Sequence, residues 1–173
     1  MINTYSIRRA PVSGFTLIEL MVVVAIVSII VAIAVPTYQN QIRHSRRTDA
    51  KTALLDAQVR EEKYLSLANT YSATPANIGY TGSFPQNVGS GYYQIYVCMG
   101  TATTTTAASA SCTAASAAAT GTSFVVAAIA IAGTSQAKDS SFQYYAVDNT
   151  GTQFSSDNVA GTSGNNTTST CWQ

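Results

Sequence analysis

The chain is short of the side chains that catalytic and metal sites draw on. Among its 173 residues there is one histidine, His44, and there are three cysteines, Cys98, Cys112 and Cys171. A zinc site takes four ligands at compact spacing, and His44 stands far from every cysteine. No metal, no cofactor and no catalytic residue is therefore expected, and the chain does not read as an enzyme. Charge is scarce as well: charged residues make up 10%, where a soluble domain carries about a quarter. Nine Lys and Arg against eight Asp and Glu leave a net +1. No bulk field draws the whole chain to nucleic acid or to an anionic membrane face.

The charges are also unevenly placed. Residues 15–35 read FTLIELMVVVAIVSIIVAIAV, with Glu19 as the lone ionisable side chain. As a helix this run is about 31 Å long, enough to span a bilayer core, and it lacks the polar face of a soluble core helix. Two readings of the N-terminus are open. In one, Arg8 and Arg9 head an ordinary secretory signal cleaved at Ala32-Ile33-Ala34. Against it, the run far exceeds the usual h-region of about 7–15 residues. A carboxylate at membrane depth also costs roughly 2.5–3.5 kcal/mol, which a disposable segment has no reason to keep. The other reading puts the cut before the apolar run, after Gly14.

On that second reading, Val12-Ser13-Gly14-Phe15-Thr16-Leu17-Ile18-Glu19 resembles the class III signal of type IV prepilins: a basic leader ending in Gly, then Phe-Thr-Leu-Ile-Glu opening a hydrophobic helix. Pro36 falls where many pilins carry a proline. The resemblance implies cleavage between Gly14 and Phe15 by a prepilin peptidase, and N-methylation of Phe15. It implies that Glu19, about 6 Å along the helix from the new amine, faces the N-terminal amine of a neighbouring subunit, and that Pro36 also serves assembly. Opposite charges attract strongly in low dielectric, while either alone is a costly orphan. The implied partners are other pilin subunits, the prepilin peptidase, the inner-membrane assembly platform and the inner membrane itself before assembly.

Orientation brings a conflict. Arg43, Arg46, Arg47 and Lys51 follow the span, so the positive-inside count alone places the C-terminal part in the cytoplasm. The resemblance places it in the periplasm, as a single-pass precursor, and then in a pilus on the cell surface. Cysteines and a Ser/Thr-rich C-terminal part suit an oxidising compartment.

The organisation expected is a leader over 1–14, a transmembrane and filament-core helix over 15–36, an amphipathic continuation over 37–71 and a head over 72–173. Proline removes a helical hydrogen bond, so a bend or a melted turn is expected at Pro36. Beyond it Ala50, Ala53, Leu54, Ala57, Tyr64, Leu65, Ala68 and Tyr71 form an apolar stripe at helical spacing, with Lys51, Asp56, Arg60, Glu62 and Lys63 off it. Asp56 and Arg60 stand at the supportive four-residue spacing. The basic run from Arg43 to Lys51 is open to lipid headgroups, DNA, an acidic neighbour or plain solvent.

Strands are expected at Tyr92–Cys98, Phe124–Ile131 and Phe142–Val147. Asp148-Asn149-Thr150-Gly151 reads as a hairpin turn into Thr152-Gln153-Phe154. The fold class is thus α+β: a long N-terminal hydrophobic helix packed on a small antiparallel sheet. A Thr/Ala/Ser-rich loop is expected at 101–123. Cys98 and Cys112 would close a short loop, worth about 3 kcal/mol in the chain-entropy model; Cys171 is the alternative partner.

The stretch from Arg46-Arg47-Thr48-Asp49-Ala50 through Glu61-Glu62-Lys63-Tyr64 to Asn69-Thr70-Tyr71-Ser72-Ala73 looks like minor pilins of type IVa pili, a subgroup that includes the receptor for DNA uptake sequences. The function expected is a minor pilin, incorporated into or priming a type IV pilus for twitching motility, adhesion and DNA uptake. The alternatives are a DNA-uptake-sequence receptor and a pseudopilin of type II secretion. Beyond Tyr71, Lys138 stands alone against Asp139, Asp148 and Asp157. The head therefore carries net −2, which disfavours DNA as its partner, because duplex binding needs several cations against phosphates.

Overall fold

The structure, a computed structural model, describes residues 14–100, 120–139, 142–157 and 172. The leader before Gly14, most of the Thr/Ala/Ser-rich segment, Cys112 and Cys171 lie outside the described residues. The chain divides into two compact units, Met1–Asn40 and Gln41–Gln173.

One helix, α1 (Leu17–Ala68), contributes to both units. In the first unit every described residue is exposed, and an 18-residue window reaches a mean hydropathy of 3.0. Side chains such as Leu17, Ile18 and Ile33, at 76%, 66% and 68% exposure, find no protein to pack on, so lipid or other helices must cover them. Helical structure runs unbroken through Pro36, so of the two expectations there, a bend or a melted turn, the melted turn does not form. Next to it the Thr37 hydroxyl donates to the Ile33 carbonyl at 3.0 Å, and such side-chain bonds help satisfy backbone groups around a helical proline. The C-terminal end is set by Asn69, which takes a left-handed φ of 54° and donates its N–H to the Leu65 carbonyl at 2.8 Å.

In the second unit α1 buries a narrow stripe, Ala50, Leu54 and Ala57, against a five-stranded antiparallel sheet. Its strands are β2 (Gln86–Val88), β3 (Tyr93–Met99), β5 (Phe124–Ala130), β6 (Tyr144–Asp148) and β7 (Gln153–Ser156), in spatial order β2-β3-β5-β6-β7. A separate pair joins β1 (Tyr71–Ser72) to β4 (Thr120–Gly121). Alternation along β3 sends Tyr93, Ile95 and Val97 to the helix side, with Phe124, Val126 and Ala128 of β5 and Tyr145 and Val147 of β6. The opposite face collects Cys98, Val125, Ala127, Ile129, Tyr144, Ala146 and Phe154. β5 is buried along its whole length, which is why it reads as a continuous apolar run rather than an alternating one. The β6–β7 turn forms as expected: the Asp148 carboxylate accepts from the Thr150 and Thr152 N–H groups at 2.9 Å each, and Gly151 supplies a φ of 78°.

The stripe continues to a residue outside the expected apolar set. Steps of four, three and four from Ala50 land on Glu61, which is fully buried. One carboxylate oxygen, Oε2, accepts the Ser72 N–H at 3.0 Å and so ties α1 to the start of β1. The other, Oε1, has no partner. Desolvation, with a smaller push from Glu62, raises the Glu61 carboxyl from 4.5 to about 7 against the pull of the Ser72 bond. A raised carboxyl favours the folded state when protonated. Its stabilising share is therefore full below pH 4.5, is lost as pH climbs to about 7, and stays lost above. Glu61→Gln is expected to flatten this dependence and to stabilise the head at pH 8 by about 1–3 kcal/mol. Urea unfolding of the detergent-solubilised chain at pH 5 and pH 8, followed by the fluorescence of the single tryptophan, Trp172, measures it; an unchanged slope between the two pH values would show that Glu61 is not the group responsible.

Candidate functional site

Two places carry chemistry, one in each unit. At the start of α1, Thr16 and Glu19 face each other across three residues. The Glu19 N–H donates to Thr16 Oγ1 at 3.3 Å, and the Thr16 N–H and hydroxyl both donate to Glu19 Oε2 at 3.4 Å. This is a capping box, in which orphan donors of a helix start are satisfied reciprocally. The sequence shows it as Thr16-x-x-Glu19, a signal that the reading of Glu19 as an intersubunit charge passed over. Within one chain the carboxylate is thus partnered, though by long bonds that a nearby ammonium could displace. Gly14 and Phe15 precede this box and are exposed, Phe15 at 84%. Pro36 lies about 26 Å further along the helix by its rise, so these residues line one segment and do not converge on one site.

In the second unit the basic residues of α1 are turned onto their own head. Arg47 forms a bidentate pair with Asp139, both hydrogen bonds at 2.9 Å, and its guanidinium sits 4.4 Å from the centre of the Phe142 ring. Their side chains are 20% and 4% exposed, so the carboxylate is desolvated and the fork geometry matters. Gln136, fully buried, donates to the same carboxylate and to the Tyr93 hydroxyl at 3.0 Å each. Arg46 stacks on Tyr92 at 3.4 Å and donates to Ser135 at 2.7 Å. Lys51 lies 5.5 Å from the Trp172 ring, whose indole N–H reaches the Phe154 carbonyl. Arg60 pairs with Asp56 at 2.7 Å, lies over Tyr80 and donates to the Gly79 carbonyl; the Asp56 hydrogen bond pushes its guanidinium further up. Cation and ring attract through the ring quadrupole, more strongly where water is excluded.

Of the partners open to the basic run, headgroups, DNA, an acidic neighbour and solvent, much of it takes none and packs on its own chain. Arg46, Arg47 and Lys51 go to the head of the same chain, as does Arg60 further along. Among the described residues, Arg43, Lys63 and Lys138 keep no ion pair, and these seven are all the cations that follow Gly14. Spacing within the helix could not reveal Arg47 with Asp139, which stand 92 positions apart. Cys98 is buried in β3 and is not a free thiol, while both other cysteines lie outside the described residues. No group of three or more metal-ligating side chains occurs among the described residues.

Comparison with known proteins places two matches end to end. Residues 9–35 match the prokaryotic N-terminal methylation motif. Residues 36–143 match the family described as type IV minor pilin ComP, DNA uptake sequence receptor. Among individual proteins, the type IV major alpha-pilin of Moraxella bovis is 46% identical over 77 residues, which is 40% of this chain and 48% of that protein. A fimbrial protein of Pseudomonas aeruginosa is 40% identical over 94 residues, 49% of this chain and 58% of that one. The type IV major pilin protein PilA of Myxococcus xanthus is 40% identical over 67 residues, 39% and 30%. The chain thus spans less than two thirds of the length of each of these relatives.

Arg47→Ala strands a desolvated carboxylate and is expected to cost about 2–4 kcal/mol, while Arg47→Lys recovers only part because the fork is lost. Urea midpoints of the full chain in detergent test this; an Arg47→Lys midpoint equal to that of the unsubstituted chain would remove the bidentate geometry from the account.

Proposed function

Because this chain belongs to the type IV pilins, whose members are structural proteins and not enzymes, we propose that it is a minor pilin, incorporated into a type IV pilus or priming its assembly. The carrying observation is the sequence of matches on one chain: a methylation motif over 9–35 followed directly by the minor-pilin family over 36–143. An apolar helix with one carboxylate near its start supports the same reading. On this proposal Gly14 is the last leader residue, Phe15 becomes the methylated N-terminus, and the peptidase and assembly platform act at the inner membrane with the head in the periplasm. Glu19 exchanges its long Thr16 contacts for the amine of a neighbouring subunit, and Pro36 shapes the segment that packs in the filament. Cys98 pairs with Cys112, with Cys171 the alternative. Twitching, adhesion and DNA uptake are the filament's expected uses.

A second reading, a DNA-uptake-sequence receptor, is favoured by the description of the matching family. The charge inventory weighs against it. Arg46, Arg47, Lys51 and Arg60 are held within the chain, by Asp139 of the head, Asp56 of α1 itself, and the head's rings and polar groups. A duplex contact would rest on Arg43, Lys63 and Lys138, and the salt slope follows the number of phosphates neutralised.

Two experiments bear on this proposal. Glu19→Ala is expected to leave the protein processed and membrane-held but strongly depleted from sheared surface fibres, measured by immunoblot; normal incorporation would sink the assembly role. In a gel shift at low salt, the filament reading expects no retarded duplex. Retardation that Lys63→Glu with Lys138→Glu weakens, lowering the salt slope by about two, would put the receptor reading first.

A further inference from the structure

The sheet has a second buried face, and α1 is not what buries it. The cluster there draws every member from β3, β5, β6 and β7, while α1, Tyr71 and the 3-10 helix Pro75–Ile78 join the cluster on the other side. Tyr144 and Ala146 are nevertheless 0% exposed and Cys98 is 1% exposed. Side chains on the open side of a sheet lie in water. This face therefore needs a second layer, and no described hydrophobic residue outside the sheet supplies it.

The register gives the face its shape. Tyr96, Ala127, Ala146 and Phe154 stand side by side across β3, β5, β6 and β7, two alanines between two aromatic rings. The middle is shallow, and another stretch of backbone can pack closely there only when its side chains are small. Tyr144, in the next row, has a buried hydroxyl with no partner among the described residues, and a buried hydroxyl calls for one.

Cys98 narrows the choice of occupant. It lies on this face and is not a free thiol, and Cys112 and Cys171 are the other cysteines of the chain. Cys171 precedes Trp172, which packs on the opposite side against Tyr145 and Lys51; Tyr145 is on β6, two strands from β3. A disulfide needs Cα atoms within about 7 Å, so Cys112 is the better-placed partner. Residues 101–111 are all Thr, Ala or Ser. Run out and back at roughly 3.3 Å per residue they reach about 17 Å, and three strand spacings from β3 to β7 make about 14 Å.

Given the Cys98 to Cys112 pairing, on which this rests, we infer that residues 101–111 lie across the far face of the sheet as its second layer, methyls on Ala127 and Ala146 and a Ser or Thr hydroxyl on Tyr144. A stretch that its composition marks as a loop then becomes part of the core.

Hydroxyl-radical labelling of the full chain in detergent, read by mass spectrometry beside a non-reducing peptide map, tests it. Tyr144 and Phe154 report the far face, and Tyr93 and Tyr145 report the helix side. Successive side chains of an extended chain point opposite ways, so Ala107→Asp with Ala108→Asp drives one carboxylate into the face in either register. The expected result is a severalfold rise in labelling at Tyr144 and Phe154 with Tyr93 and Tyr145 unchanged. Reduction of the unsubstituted chain should give the same pattern more weakly, which serves if the double variant unfolds. A map joining Cys98 to Cys171 overturns the pairing and the inference with it. Cys98 joined to Cys112, with far-face labelling unmoved by the double variant and by reduction, overturns the inference alone. A rise from Val159→Asp with Ala160→Asp, and none from the first double variant, assigns the face to the C-terminal stretch and overturns it as well.

Discussion

The head depends on the seat that α1 makes on the sheet. Ala50, Leu54 and Ala57 form that seat, buried in one core with Tyr93, Val126 and Tyr145 of the strands. Packing of this kind gathers dispersion from many atoms at once. The seat also sets the flanking positions of α1 beside the rim of the sheet. The long cationic side chains at 46, 47 and 51 then lie over rings, covering apolar surface with their stems while their heads find partners.

That placement has an electrostatic consequence. An exposed row of arginines would make α1 a polyanion-binding edge. Here Arg47 is neutralised by Asp139, Arg60 by Asp56, and Arg46 and Lys51 lie on Tyr92 and Trp172. Arg46 and Arg47 join the helix to the β5–β6 connection through Ser135 and Asp139, Lys51 lies against Trp172, and Arg60 reaches the turn at Gly79. Cations that could have served a partner instead serve the tertiary structure. The surface left over is poor in positive charge, which suits a filament subunit that must lie beside its own kind more than one that grips DNA.

The first unit obeys a different constraint. Among its described residues the apolar side chains are all exposed, and the helical backbone satisfies its own hydrogen bonds, as a segment in hydrocarbon requires. Thr16 and Glu19 settle the helix start with their own polar atoms, and Thr37 does similar work beside Pro36. A carboxylate that is only loosely partnered within one chain is well placed to accept a better partner from another.

Much of this was legible in the amino-acid order. The apolar run at 15–35, the stripe through Ala50, Leu54 and Ala57, and the strands around Tyr93–Met99, Phe124–Ala130 and Tyr144–Asp148 follow from local periodicity and turn chemistry, which act between near neighbours. The short strands β1, β2 and β4 were not, because at two or three residues each they carry no periodic signal. Glu61 sat in plain view at the next step of the stripe, yet residue type argued against the position that spacing assigned it. Tertiary structure alone decided where the charges go. Arg47 meets Asp139 across 92 positions, and Arg60 reaches the Gly79 carbonyl across 19. Sequence by itself determined the long helix, the three longest strands and an apolar segment long enough to cross a membrane, since these depend on hydrophobic pattern and helix length. Partnering of the cations depended on which loops the sheet brings beside the helix, and no local rule encodes that.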